Sequence, residues 1–130
     1  MKVLDATFLV DYLEDVDVAT AYLEEHSTER FVIPAPAFAE VLVGEGNGPD
    51  KSDIAGACEA LSWAEVYPVD QRTAVTAGEI ADEVGTQGPY LTGMDGAIAA
   101  VGRELDAPVV SADRDLTHPE TQKVVDVEEY

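Results

Sequence analysis

The chain has few positive charges, almost no sulfur and no long apolar run. Seven lysines and arginines face 27 aspartates and glutamates, for a formal charge of −20. Phosphate binding ordinarily rests on lysine and arginine, so no broad basic face is available. A nucleic-acid substrate is not thereby excluded, because metal ions and salt both offset the repulsion. The single cysteine, Cys58, has no partner for an internal disulfide, which fits a cytoplasmic protein. The two histidines, His26 and His118, form no cluster, which argues against a zinc site and leaves no Ser-His-Asp triad. The longest apolar stretch, Phe31 to Val43, is broken by Pro34, Pro36 and Glu40. It is too short to span a bilayer, so no membrane association is expected. Met1-Lys2-Val3-Leu4-Asp5 does not read as a signal peptide, because an acid stands where the apolar region should begin.

Apolar residues make up 46% of the 130, enough for a real core in one domain spanning residues 1–130. There is no internal repeat, low-complexity tract or linker. The acids are spread over helix surfaces and both ends, and apolar periodicity persists throughout, unlike a disordered acidic chain. The expected explanation is a surface adapted to high salt, in a protein of halophilic source. At ~1 M salt the Debye length is about 3 Å, which screens such self-repulsion.

Lys2 to Asp5 reads as a first strand, and Ala6 to Glu14 as a helix with Phe8, Leu9, Tyr12 and Leu13 at helical spacing. Val18 to Glu25 reads as a second helix. Phe31-Val32-Ile33 suits a strand buried on both faces. A third helix is expected over Ala35 to Val43, with proline in its first turn. Gly44 to Pro49 is a connector, not a phosphate loop, since it follows a helix and lacks the Gly-Lys-Ser/Thr ending. A fourth helix over Asp50 to Leu61 and a strand within Ala64 to Pro68 follow. Asp70 is placed to cap a helix running to about Val84. Thr92-Gly93-Met94-Asp95 opens a helix with a small-residue face. Val109-Val110-Ser111 is a fourth strand, and Val124-Val125 a candidate fifth, at the edge. Strands alternating with helices predict an α/β fold on a parallel sheet of four to five strands.

Four carboxylates fall at places that need a reason. Asp5 ends strand one, Glu40 sits in an otherwise apolar helix, Asp95 begins the small-residue helix and Asp113 follows strand four. Each has an ordinary explanation. Asp5 suits an N-cap, Asp95 pairs with Thr92 as in a capping box, and Asp113 suits a turn. Glu40 must find either a strip of solvent or a polar site. In a parallel sheet, however, Asp5 and Asp113 share one edge, and the helix beginning near Asp95 opens there too. Clustered like charges resist ionisation, and a divalent cation relieves them; hard oxygen ligands suit Mg²⁺ or Mn²⁺. Such sites chiefly handle phosphates. Thr7 and Ser111 are hydroxyls placed either to orient a carboxylate or water, or to cap local backbone.

These residues resemble a PIN domain, and specifically a toxin nuclease of the VapC type. The resemblance spans essentially the whole chain. It rests on Val3-Leu4-Asp5-Ala6-Thr7, on Pro36-Ala37-Phe38-Ala39-Glu40-Val41-Leu42, on Asp95-Gly96-Ala97-Ile98-Ala99-Ala100 and on Val109-Val110-Ser111-Ala112-Asp113-Arg114-Asp115-Leu116. It implies a three-layer α/β/α sandwich and a Mg²⁺- or Mn²⁺-dependent endoribonuclease. Asp5, Glu40, Asp95 and Asp113 match the acidic quartet, with Asp5 and Asp95 as direct ligands and Glu40 and Asp113 ligating the cation or holding its water. Of these, Asp5, Asp95 and Asp113 are the expected metal set. Thr7 and Ser111 match the hydroxyls expected beside the first and fourth acids, and Asp115 is an accessory acid. Arg114 is the one cation next to the site in sequence and the candidate substrate contact. The resemblance also implies a homodimer and a small antitoxin partner. Together with the acid excess it points to a halophilic archaeal source.

Two other readings compete. A non-catalytic PIN-like module binding RNA or protein is disfavoured by the intact quartet. A phosphoacceptor receiver-like domain wants an acidic pair after strand one and a lysine after the last strand. Here Asp5 is followed by Ala6, and Ser111-Ala112-Asp113 contains no lysine.

Overall fold

The computed structural model describes residues 1–130. Its elements run β1 (Lys2–Leu4), α1 (Ala6–Leu13), α2 (Asp17–Glu25), β2 (Phe31–Pro34), α3 (Ala35–Gly46), α4 (Ile54–Ala60), β3 (Glu65–Tyr67), α5 (Gln71–Val84), α6 (Gly93–Leu105), β4 (Val109–Val110), α7 (Pro119–Gln122) and β5 (Val127–Glu128). All five strands are parallel, in the order β3-β2-β1-β4-β5. The chain therefore adds strands on one side of β1, then crosses back to add β4 and β5 on the other. Right-handed crossovers place α1 to α4 on one face of such a sheet and α5 to α7 on the opposite one. This is the α/β architecture expected from the alternating pattern.

The strands are short, and in the central three, β1, β2 and β4, every residue but Lys2 is apolar. Val3, Leu4, Val32, Ile33, Val109 and Val110 are all buried, as strands covered on both faces must be. Leu4 pairs with Val110 and Val3 with Val32. Against this sheet pack Phe8 and Leu9 of α1 and Ile98 to Val101 of α6, none of them more than 2% exposed. Phe8 meets Tyr22 and Tyr130 edge-on, with ring centroids 5.7 and 4.9 Å apart. The small-residue face of α6 lets it lie close over β1, β2 and β4. Gly102 is the extreme case, since a Cβ there would stand 2.7 Å from Val109 Cγ2. No helix is long and apolar enough to cross a membrane.

Several boundaries differ from expectation. The fifth strand is Val127–Glu128, not Val124-Val125. The amides of Val124 and Val125 both bond Thr121 O at 2.9 Å, closing the turn after α7, and so are withdrawn from the ladder. The ladder is made instead by Val109 N–H to Asp126 O and Ser111 N–H to Glu128 O, at 2.9 and 3.0 Å. Helix α7, opened by Pro119, had no periodic signature in four residues. Helix α4 starts at Ile54, because Asp53 rather than Asp50 accepts the capping bond, from Gly56 N–H at 2.9 Å. Helix α3 carries on through Gly44 to Gly46, three residues expected in the connector.

Candidate metal centre

The sheet reverses direction of growth between β1 and β4, and the carboxyl ends of these two strands border the crevice where open α/β folds collect ligands. Asp5 and Ser111 are the residues that immediately follow the two strands. Asp5 is 2% exposed and caps α1, accepting the Phe8 N–H at 3.0 Å through Oδ1. Thr7 Oγ1 donates to the same oxygen at 2.7 Å, and Ser111 Oγ donates to Oδ2. Both hydroxyls also accept from the loop after β4. The Ala112 N–H reaches Thr7 Oγ1 at 3.0 Å, and the Asp113 N–H reaches Ser111 Oγ at 2.9 Å. A carboxylate buried to this degree resists ionisation, and burial raises the Asp5 pKa. The bonds from Ser111, Phe8 and Thr7 oppose the rise, and the negative charge of Asp113 adds to it.

Asp113 stands just beyond. Its Oδ2 accepts the N–H groups of Asp115 and Leu116, each at 3.0 Å, curling the chain into a turn. The turn brings the Asp115 carboxylate round to that of Asp113. From the opposing side comes Asp95 in the first turn of α6, whose start is fixed by Thr92 Oγ1 accepting the Asp95 N–H at 3.1 Å. One carboxylate oxygen each from Asp95, Asp113 and Asp115 lie within 4.8 Å of one another, and all three residues are partly buried. Burial lifts the Asp95 pKa to about 6, helped by the charges of Asp113, Asp115 and Asp5. The site is thus a half-buried nest of like charges at the head of two strands and one helix.

The structure brings Asp95 and Asp113 together as sequence reasoning expected, but the third member of the group is Asp115, not Asp5. The resemblance makes Asp115 an accessory acid; the turn expected over 113–116 is present, and it carries the Asp115 carboxylate round to Asp113. Asp5 lies behind, hydrogen-bonded by both hydroxyls. Of the four lone-pair positions on its carboxylate, three are taken, leaving one on Oδ2. Glu40 finds solvent. It is exposed on α3, beside a cavity of about 330 Å³ shared with Val10, Leu13 and Glu14 of α1. Arg114, between the two loop carboxylates in sequence, is exposed and makes no ion pair, as is true also of Lys51 and Arg72. Sequence reasoning also passed over Tyr130, whose hydroxyl donates to Asp11 Oδ2 at 2.6 Å next to this edge.

The donor set fits a hard divalent cation, with three carboxylate oxygens close enough to share one ion and no nitrogen or sulfur among them. The fold and site together define an α/β domain of parallel sheet with an all-carboxylate cluster at its switch point. The family model described as PIN domain matches residues 2–121, and the chain belongs to the PIN domain family. A comparison with curated protein sequences found no match. Among solved structures the chain is similar to VapBC2 from Rickettsia felis bound to a DNA fragment from their promoter, with 18% identity, a TM-score of 0.81, and 99% of this chain and 98% of that one covered. It is also similar to FitAcB from Neisseria gonorrhoeae, with 20% identity, a TM-score of 0.80 and coverage of 98% and 96%. A toxin-antitoxin complex from Klebsiella pneumoniae matches with 18% identity, a TM-score of 0.77 and coverage of 98% and 96%.

Proposed function

We propose that the chain is a Mg²⁺- or Mn²⁺-dependent endoribonuclease and the toxin member of a toxin–antitoxin pair. The observation that carries the reading is the approach of Asp95, Asp113 and Asp115 within 4.8 Å at the switch point of a PIN-domain sheet. These three carboxylates would hold the cation, and Asp5 would offer its remaining Oδ2 position. A divalent cation, when bound, lowers the pKa of water and neutralises charge developing on a phosphoryl group. The chain's own residues do the rest. Thr7 and Ser111 fix the Asp5 carboxylate, the 113–116 turn presents two acids together, and Arg114 offers the phosphate a donor. For Glu40, exposed on α3 outside the carboxylate cluster, we propose only the water-holding role that the resemblance implies.

The partner assignment follows from the likeness to the VapBC and toxin-antitoxin complexes. The likeness supports the antitoxin partner alone; a homodimeric toxin is what the family resemblance implies, and a cytoplasmic setting is what the single cysteine fits. The test is cleavage of RNA by the purified chain in high-salt buffer with Mg²⁺ or Mn²⁺, repeated with Asp95→Asn and Asp113→Asn. A metal contribution of several kcal/mol corresponds to a loss of about 100-fold or more in each variant. Cleavage that survives both substitutions, or chelation of the metal, would overturn the proposal.

A further inference from the structure

Tyr90 is 92% exposed, while the other exposed large apolar side chains, from Met1 to Met94, run between 36% and 60%. Its exposure is not that of a loose loop. Two residues earlier, Gly88 lies so close to its surroundings that a Cβ would meet Val84 Cγ1 at 2.4 Å and Glu120 Cβ at 3.0 Å. One residue later, Leu91 is 8% exposed, and Thr92 then caps α6. Pro89 further narrows the backbone between them. The ring is held out into water between two anchored neighbours.

Its position is equally specific. Helix α6 leads into the amino end of β4, so its own amino end, and the 85–92 segment before it, lie at the carboxyl edge of the sheet with the acidic cluster. Five residues separate Tyr90 from Asp95, a reach of at most about 18 Å. Phosphate contacts can contribute little here, because only Lys51, Arg72 and Arg114 are free of ion pairs. A chain this poor in free cations, acting on RNA, needs affinity of another kind. Stacking of unpaired bases on aromatic rings supplies it, and does so without net charge and with little sensitivity to salt.

We infer that Tyr90 is a base-stacking platform of the substrate site. The inference rests on the nuclease reading and sharpens it. A base within a duplex has no free face to offer the ring, so a duplex of the same sequence is the control whose binding should not respond to Tyr90.

The experiment measures both cleavage and binding of a fluorescein-labelled single-stranded RNA and its duplex in high-salt buffer, for wild type, Tyr90→Ala, Tyr90→Phe and Tyr90→Trp. Binding is read on the Asp113→Asn background, so that it stands whether or not RNA is cut. Tyr90→Ala is expected to weaken single-strand binding by about 5- to 150-fold, the span of one stacked base. Its KM should rise with kcat retained, while the Phe and Trp variants bind like wild type. Thermal stability should be unchanged in all three, as expected for a side chain in water. Unchanged single-strand binding by Tyr90→Ala would overturn the inference and leave the ring to a protein partner. Equal loss in Tyr90→Ala and Tyr90→Phe would overturn it in favour of the hydroxyl. Failure of wild type to cut, with Tyr90-dependent binding intact, would count against the nuclease reading alone.

Discussion

The Ser111 hydroxyl donates to Asp5 Oδ2 across the seam between β4 and β1, while accepting the Asp113 N–H at 2.9 Å. One fully buried side chain therefore ties the carboxyl ends of two strands to the loop that carries Asp113 and Asp115. Ser111→Ala removes a bond to a buried carboxylate and orphans a backbone amide. Urea unfolding should show a loss of about 1.5–3 kcal/mol. RNA cleavage should fall by about 10- to 100-fold, as when a ligand-orienting contact is removed. A variant as stable and active as wild type would show that the seam contributes nothing.

Crowding at the cluster has a pH signature. The Asp95 pKa is raised to about 6 in the folded chain from a usual 3.8. A raised pKa means that its contribution to stability is full below about pH 4 and lost as pH rises through 6. Burial moves Asp5 in the same direction. With EDTA present and salt held near 1 M, stability should increase as pH falls from 7 to 5. For half-exposed Asp95 the gain should be about 1 kcal/mol, after allowance for solvent screening. Asp95→Asn should be more stable than wild type at pH 7 and should lose most of the pH dependence. Added Mg²⁺ should stabilise wild type at pH 7 more than at pH 5. A flat profile in wild type would refute the crowded arrangement.

The acid excess should make stability depend on salt. Just five ion pairs form, one of them using the N-terminal amine, against 27 acids. The unpaired carboxylates repel one another over about 10 Å at 0.1 M salt but about 3 Å at 1 M. Thermal melts between these limits should show Tm rising by at least about 5 °C, equivalent to roughly 1–2 kcal/mol. A Tm that is constant or falls would remove salt adaptation as the reason for the composition.

Two glycines in neighbouring helices should respond oppositely to alanine. A Cβ at Gly102 in α6 would press on Val109 Cγ2 at 2.7 Å and Ala107 O at 3.1 Å, so Gly102→Ala should cost about 1–3 kcal/mol. Gly78 in α5 has nothing within 4 Å of the added carbon, and Gly78→Ala should gain about 0.5–1 kcal/mol through the helix's backbone entropy. Chemical denaturation of the two variants checks both signs; a stabilised Gly102→Ala would mean that α6 does not lie against β4 as described.

Much of this was readable in the residues themselves. Val3-Leu4, Val32-Ile33 and Val109-Val110 are apolar on both faces, so they had to be central strands in a covered sheet. Asp5, Asp70 and Thr92 cap the helices that follow them because their oxygens reach the amide three residues on. Capping of α1 by Asp5 is compatible with the ligand role proposed for it, since one position on Oδ2 stays open. The edge strand was not readable. Val124-Val125 is the more apolar pair, yet Val127–Glu128 lies in the ladder, a choice made by which amides the turn after α7 has already used.

The sequence by itself determined that acids end β1 and follow β4, because strand and helix boundaries follow from local apolar patterning and capping chemistry. Tertiary structure alone decided which acids meet. Strand order set β1 beside β4, the turn around Asp113 swung Asp115 in to join Asp95, and the exposed face of α3 left Glu40 in water. Convergence of side chains far apart in the chain is a property of packing, and no local spacing encodes it.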